Sequence, residues 1–174
     1  MIATVFSRAI YLGKGWAMSA VPGIQWPRSA VATWVADASS ARLLRVAAAS
    51  YLVAWILHTG DHLRRGADSV TTEVLVVGIV AGVLQLIAIA AAFRRAPWAP
   101  IAAVAIGFPD AVGIAAVHLL PHWSSLSDAF PGAHGTGVTG FSWVAAIVEI
   151  AGALAFGLAG AHAWRRAEHR ATAH

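Results

Sequence analysis

Four long apolar stretches dominate the pattern of the chain, at residues 43–60, 71–93, 97–122 and 141–164. Each has about 17–26 residues, and about 20 residues are needed for a helix to cross the hydrocarbon core of a bilayer. Polar or basic segments separate them, such as Arg94 and Arg95 after the second stretch. The pattern therefore predicts an all-α integral membrane protein, folded as a four-helix bundle.

The remaining residues are assigned to two flanking segments. Residues 1–40 mix basic and aromatic residues with short apolar runs, and Pro22 and Pro27 interrupt them. They predict either an N-terminal interfacial arm on the membrane surface or a poorly ordered tail. Residues 41–166 are expected to form the transmembrane bundle, and residues 167–174 a cytoplasmic tail.

Composition excludes several classes of protein. With 59% hydrophobic and 11% charged residues and a mean hydropathy of +0.69, the chain is far more apolar than water-soluble domains. The absence of cysteine excludes a disulfide scaffold and thiol chemistry. The pI of about 10.7 does not indicate a nucleic-acid partner. In a membrane protein, the placement of basic residues primarily indicates the orientation of the chain in the membrane.

Basic residues are distributed unequally between the two ends of the predicted bundle. Only Arg64 and Arg65 follow the first stretch on one side. The other ten of the 12 Lys and Arg residues lie on the opposite side: Arg8, Lys14, Arg28, Arg42, Arg45, Arg94, Arg95, Arg165, Arg166 and Arg170. The positive-inside rule then predicts a multi-pass protein of the cell (plasma or inner) membrane with both termini in the cytoplasm.

Two pairs of histidines carry the most specific chemical signal. His58 and His62 are four residues apart at the end of the first stretch, and His118 and His122 are four apart at the end of the third. Four residues correspond to about one helical turn, so each pair would share a helix face. This spacing allows two imidazoles to bind one metal ion. The topology brings both pairs to the outer membrane face.

Carboxylates near these histidines extend the candidate metal site. Asp61, Glu73 and Asp128 lie in or next to the outer connections and are predicted as further ligands. Imidazole and carboxylate without thiolate favour zinc, copper or iron. The leading hypothesis is a His/carboxylate transition-metal site, serving either a metalloenzyme or a metal uptake or transfer protein.

Two further carboxylates are predicted deep inside the membrane. Asp110 lies eight residues before His118, about 12 Å further in, and Glu149 lies at a comparable depth in the fourth stretch. Buried acidic residues are costly in hydrocarbon and usually functional. We expect them to be protonated, hydrogen-bonded to each other or neutralised by a cation, and to act as catalytic proton carriers. Pro109 is expected to kink or split its helix.

The sequence is also compatible with three other functions. His58 and His118 lie at similar depth on different helices, as bis-histidine ligation of a b-type haem requires. Asp110 and Glu149 are compatible with a small proton- or cation-coupled transporter. The chain is also compatible with an accessory subunit of a larger membrane complex. Besides the lipid bilayer, a homo-oligomer or such a complex is the expected partner, and whether the protein is an enzyme stays open.

Small residues at intervals of four predict close helix packing. Gly78 and Gly82 have this spacing in the second stretch, and Ala153, Gly157 and Ala161 have it in the fourth. Such residues let two helix backbones approach each other in a membrane.

Overall fold

The computed structural model describes residues 37–132 and 137–173, except the side chain of Ala67. It contains four long helices: α1 (Ala38–Arg65), α2 (Thr72–Phe93), α3 (Ala99–Ile114) and α4 (Gly140–Thr172). A 3₁₀ turn (Ala67–Ser69) follows α1, and a π-helical turn (Ala115–Leu119) continues α3. The prediction of an all-α bundle is confirmed, and all four helices are long and apolar enough to cross a membrane. Of the predicted interfacial arm, residues 1–36 lie outside the described residues.

The helices differ from the predicted spans mainly at their ends. α1 begins before residue 43 and continues beyond residue 60, and α4 continues past residue 164 to Thr172. Most of the predicted tail is therefore helical. The α3 region ends at Leu119 rather than at residue 122, and Pro109 lies inside α3 without splitting it. The departure from α-helical geometry comes later, in the π-helical turn.

Helix α1 begins and ends at residues suited to helix termini. The Asp37 carboxylate caps α1, accepting hydrogen bonds from the Ser40 hydroxyl at 2.6 Å and from the Ser39 hydroxyl at 2.7 Å. These hydrogen bonds, from Ser40 first, lower the pKa of Asp37 well below its usual range. Gly66 ends α1 with a φ of 85°, a conformation that favours glycine.

The helices form a closed ring. Each one packs against its neighbour in the chain, and α4 also packs against α1. The C-terminal ends of α1 and α3 and the N-terminal ends of α2 and α4 meet at one end of the bundle, which we call the histidine end. The opposite end contains Asp37, which lies 3.4 Å from the guanidinium group of Arg170 near the end of α4. We call it the arginine end.

The core consists mainly of small residues, and the large apolar side chains lie outside. Most buried apolar residues are alanines, with Leu44, Tyr51 and Phe156 among the few large ones. On α2, by contrast, valine, leucine and isoleucine side chains are exposed. A water-soluble bundle would bury such side chains. This distribution fits helices whose outer surface contacts lipid and whose inner surfaces approach closely.

The α3–α4 interface contains the closest backbone approach. A Cβ atom added at Gly107 would lie 2.5 Å from the carbonyl oxygen of Ala153 and 2.8 Å from the backbone nitrogen of Gly157. The predicted close packing of Ala153 and Gly157 is thus present. Gly78 is exposed, however, and Gly82 faces the Trp55 ring rather than another backbone.

Replacing Gly107 by alanine is expected to lower the free energy of unfolding by about 1–3 kcal/mol, because the two helices must move apart. Gly78→Ala is the matched control, since its added Cβ would meet no described atom within 4 Å. We expect that control to be neutral or slightly stabilising, because alanine favours helix over glycine. Denaturant unfolding in mixed micelles, followed by circular dichroism, measures both. If Gly107→Ala and Gly78→Ala are equally stable, the close packing of α3 against α4 is contradicted.

Candidate metal centre

Three histidines from two helical segments meet at the histidine end. His58 and His62 lie one turn apart on α1, and His118 lies in the π-helical turn after α3. Each histidine has one ring nitrogen that could bind a metal ion, and these three nitrogens lie within 4.8 Å of one another. The ring centroid of His58 lies 4.8 Å from the ring centroid of His62 and 4.8 Å from that of His118. We call these three residues the histidine cluster.

His58 is oriented by a carboxylate from another helix. Its Nδ1 atom lies 2.5 Å from the Oε2 atom of Glu149 on α4, and both side chains are buried. With the Nδ1–H group donating to this carboxylate, Nε2 carries the free lone pair. That Nε2 atom is buried and has no hydrogen-bond partner among the described residues. A histidine whose other nitrogen donates to a carboxylate is the usual arrangement of a metal-binding imidazole.

His118 is oriented in a similar way by the connection between α3 and α4. Its Nδ1 atom lies 3.1 Å from the carbonyl oxygen of Asp128 and 3.4 Å from the Asp128 Oδ2 atom. The Asp128 carboxylate also accepts two hydrogen bonds from the buried guanidinium group of Arg65, at 2.7 and 2.6 Å. Asp128 therefore fixes the imidazole of His118 and joins the connection to the end of α1.

An aromatic residue of the same connection covers the histidine cluster from the side. The Phe130 ring packs on His118 with centroids 4.6 Å apart and contacts Trp143 at 5.5 Å. The backbone N–H of Phe130 donates to the carbonyl oxygen of His118. His58 and His118 are buried, whereas His62 is only partly buried. Among the described residues of the cluster, the His62 side chain is therefore the most exposed.

The structure does not bring all predicted ligands to the cluster. His122 is exposed and lies beyond the end of the helix, so the prediction that it shares a helix face with His118 is wrong. The pairing failed because the helical repeat stops at Leu119. Glu73 is exposed in the first turn of α2. Neither residue belongs to the group of possible ligands among the described residues.

Asp61 lies beside the cluster but has its own partner. Its Oδ1 atom accepts hydrogen bonds from Arg64 Nε at 3.1 Å and from Arg64 Nη2 at 2.8 Å. Its Oδ2 atom is buried and has no hydrogen-bond partner among the described residues. Asp61 and Asp128 thus interact with arginines, and their role as metal ligands stays a prediction.

Asp110 and Glu149 occupy two separate polar sites. Glu149 contacts His58, whereas Asp110 accepts hydrogen bonds from the Tyr51 hydroxyl at 2.6 Å and from the side-chain amide of Gln85. The expected hydrogen bond between these two carboxyl groups is not formed. Sequence reasoning missed Tyr51 as a partner. Its position seven residues before His58 places both on one helix face, but this spacing does not identify Asp110 as its partner.

No protein family, curated protein or solved structure matches this chain.

Proposed function

We propose that the protein is a membrane-embedded metal-binding protein in which His58, His62 and His118 bind one transition-metal ion. The single observation that carries the proposal is the buried Nε2 atom of His58, which lacks a hydrogen-bond partner in the described part of the chain. A buried polar atom without a partner is costly, and a bound ion would remove that cost. The Glu149 carboxylate on Nδ1 favours this use of Nε2.

The ligand set supports zinc, copper(II) or iron. Three imidazoles without thiolate suit these ions. Tetrahedral binding at metal–nitrogen distances of about 2.0–2.1 Å would bring the nitrogens to about 3.3 Å from one another. In the structure, the three ligand nitrogens lie within 4.8 Å of one another. Small side-chain rotations would therefore be enough to complete the site.

Three protein ligands leave a fourth position for another molecule. A catalytic centre binds water or substrate there, and a metal uptake or transfer protein passes the ion to an incoming ligand at the same position. The partly buried His62 supports entry from the rim of the bundle. Either role requires the ion, so metal binding is the property to test first.

The spacing of the rings favours a single ion over haem. Two imidazoles that bind one haem iron would need to lie on opposite faces of the flat macrocycle, with the iron between them. The centroids of His58 and His118 lie 4.8 Å apart, and His62 stacks on His58. Haem binding at this pair would require the helices to separate.

We also propose that the histidine end faces away from the cytoplasm. Its two arginines are each paired with a carboxylate, Arg64 with Asp61 and Arg65 with Asp128. The remaining arginines of the four helices lie toward the arginine end, which the positive-inside rule assigns to the cytoplasm. The metal site would then lie at the outer face of the cell membrane.

Metal titration of purified, metal-depleted protein tests the proposal. We expect the wild type to bind one ion of Zn²⁺, Cu²⁺ or Fe²⁺ per chain, and His118→Ala to weaken binding by about a hundredfold or more, because it removes a ligand. His122→Ala is the matched control and should bind as the wild type does. Elemental analysis and isothermal titration calorimetry measure stoichiometry and affinity.

Two outcomes would contradict the proposal. One is retention of one ion per chain in a protein that carries both His58→Ala and His118→Ala. The other is a Soret band in the optical spectrum of the purified protein, which would support the haem alternative.

A further inference from the structure

A second buried polar site lies deeper in the bundle than the histidine cluster. Tyr51 of α1, Gln85 of α2 and Asp110 of α3 meet there, and Tyr51 is fully buried. Tyr51 lies seven residues before His58, which corresponds to about 10 Å along the helix. Gly152 of α4 packs against it, since a Cβ added there would lie 3.2 Å from the Tyr51 Cα atom. All four helices therefore enclose this site.

The hydrogen bonds of Asp110 are those of an ionised carboxylate. The Tyr51 hydroxyl donates to Oδ2, and the Gln85 amide nitrogen donates to Oδ1. Among the described residues, no lysine or arginine forms an ion pair with Asp110. A carboxylate in hydrocarbon without a cationic partner is costly, so this site favours uptake of a cation.

A proton fits the site without any rearrangement of the helices. The Oε1 atom of Gln85 is buried and has no hydrogen-bond partner among the described residues. If the Gln85 amide turns over, Oε1 can accept a hydrogen bond from a protonated Oδ1 atom of Asp110, while Tyr51 still donates to Oδ2. The same three side chains can therefore satisfy both the ionised and the protonated carboxyl.

The surroundings favour proton entry from the histidine end. On that side, Glu149 and His58 are the ionisable groups close enough to interact electrostatically with Asp110, together with Tyr51 itself. Toward the arginine end, the Phe156 ring packs on Tyr51 with centroids 5.5 Å apart. Beyond it lie buried apolar residues such as Leu44 and Ala103. A proton would meet polar groups on the side of the histidine end, and mainly apolar residues on the other side, where the Nε atom of Arg45 is also buried.

We propose that Asp110, Tyr51 and Gln85 form a proton-binding site inside the membrane, distinct from the histidine cluster. In uptake, a proton from water at the histidine end adds to Asp110 Oδ1, and the carboxylate becomes a neutral carboxylic acid. Release breaks the same O–H bond and restores the negative charge. One charge thus enters and leaves the bundle interior, which is the elementary step that a proton-coupled membrane protein requires. The site does not depend on a bound metal.

Infrared difference spectroscopy of the metal-free, full-length protein in lipid tests this proposal. On lowering the pH, we expect the carbonyl stretching band of a protonated, buried carboxyl group to appear in the wild type. Asp110→Asn should remove this band. Glu168→Gln, which alters an exposed carboxyl on α4, is the matched control and should leave it unchanged. Because no metal is present, the result is independent of the proposed metal centre.

A second variant keeps the test decisive if Asp110→Asn fails to fold. Tyr51→Phe retains the carboxyl but removes one of its hydrogen bonds, so the band should remain and change its frequency. The proposal is overturned if the wild type shows no such band, or if the band persists in folded Asp110→Asn. It is also overturned if Tyr51→Phe leaves the frequency unchanged, because the protonated carboxyl would then lie elsewhere.

Discussion

Replacing Arg65 by methionine is expected to reduce the free energy of unfolding by about 3–5 kcal/mol. The Arg65 side chain is fully buried and forms two hydrogen bonds to the Asp128 carboxylate, which is itself buried. Removing the guanidinium group leaves a buried negative charge without its partner, and that charge is the main cost. The packing of Arg65 over the Phe130 ring at 5.6 Å is also lost. Unfolding in mixed micelles measures the change.

A double variant separates the charge from the packing. When Arg65→Met is combined with Asp128→Leu, both charged groups are absent, and apolar side chains occupy the same space. Most of the lost stability should return, because a buried ion pair and an apolar pair are often similar in stability. If Arg65→Met alone costs less than about 1 kcal/mol, the value typical of an exposed pair, the interaction contributes little to the fold.

Glu149→Gln is expected to weaken metal binding by about ten- to a hundredfold while leaving all three imidazoles in place. Glutamine retains the size of the side chain but removes the negative charge that fixes the Nδ1–H of His58. We expect the bound ion to remain at the same stoichiometry. Glu73→Gln makes the same chemical change at an exposed position of α2 and should leave the affinity unaltered.

The visible absorption of bound Co²⁺ distinguishes this positioning role from general destabilisation. If Glu149 orients His58, its replacement by glutamine should alter the ligand-field spectrum of the cobalt-loaded protein, and Glu149→Asp should partly restore affinity. An unchanged spectrum together with wild-type affinity would show that Glu149 does not act on the ion through His58.

Much of the architecture follows from local sequence patterns. The apolar stretches determine four spans, and an even number of crossings returns the ends of α1 and α3 to one surface. His58 and His62 follow from helical periodicity within a single element. Their position at the same end of the bundle as His118 follows from topology, whereas the contact between the three rings depends on helix packing.

Contacts that depend on helix rotation could not be predicted in this way. The partners of Asp110 are Tyr51 and Gln85 because those residues happen to face the bundle axis at the same depth, and spacing within one helix does not determine this. His122 was misplaced because periodicity assumes that the helix continues. The pairing of Asp128 with Arg65 depends on the path of a long connection, for which the chain has no periodic signal.

The π-helical turn at Ala115–Leu119 determines the direction in which the His118 side chain points. A π-helical turn contains more residues than an α-helical one, so the segment accommodates its extra residue by widening the helix. If the same residues formed a regular α-helix, the imidazole would turn away from its present direction by up to about 100°, the rotation of one residue. Deleting one residue of the turn would largely compensate this rotation. Exchanges among small apolar residues at positions 115–117 preserve that direction. The direction of His118 therefore depends on the π-helical geometry of this turn as well as on the number of residues that precede it.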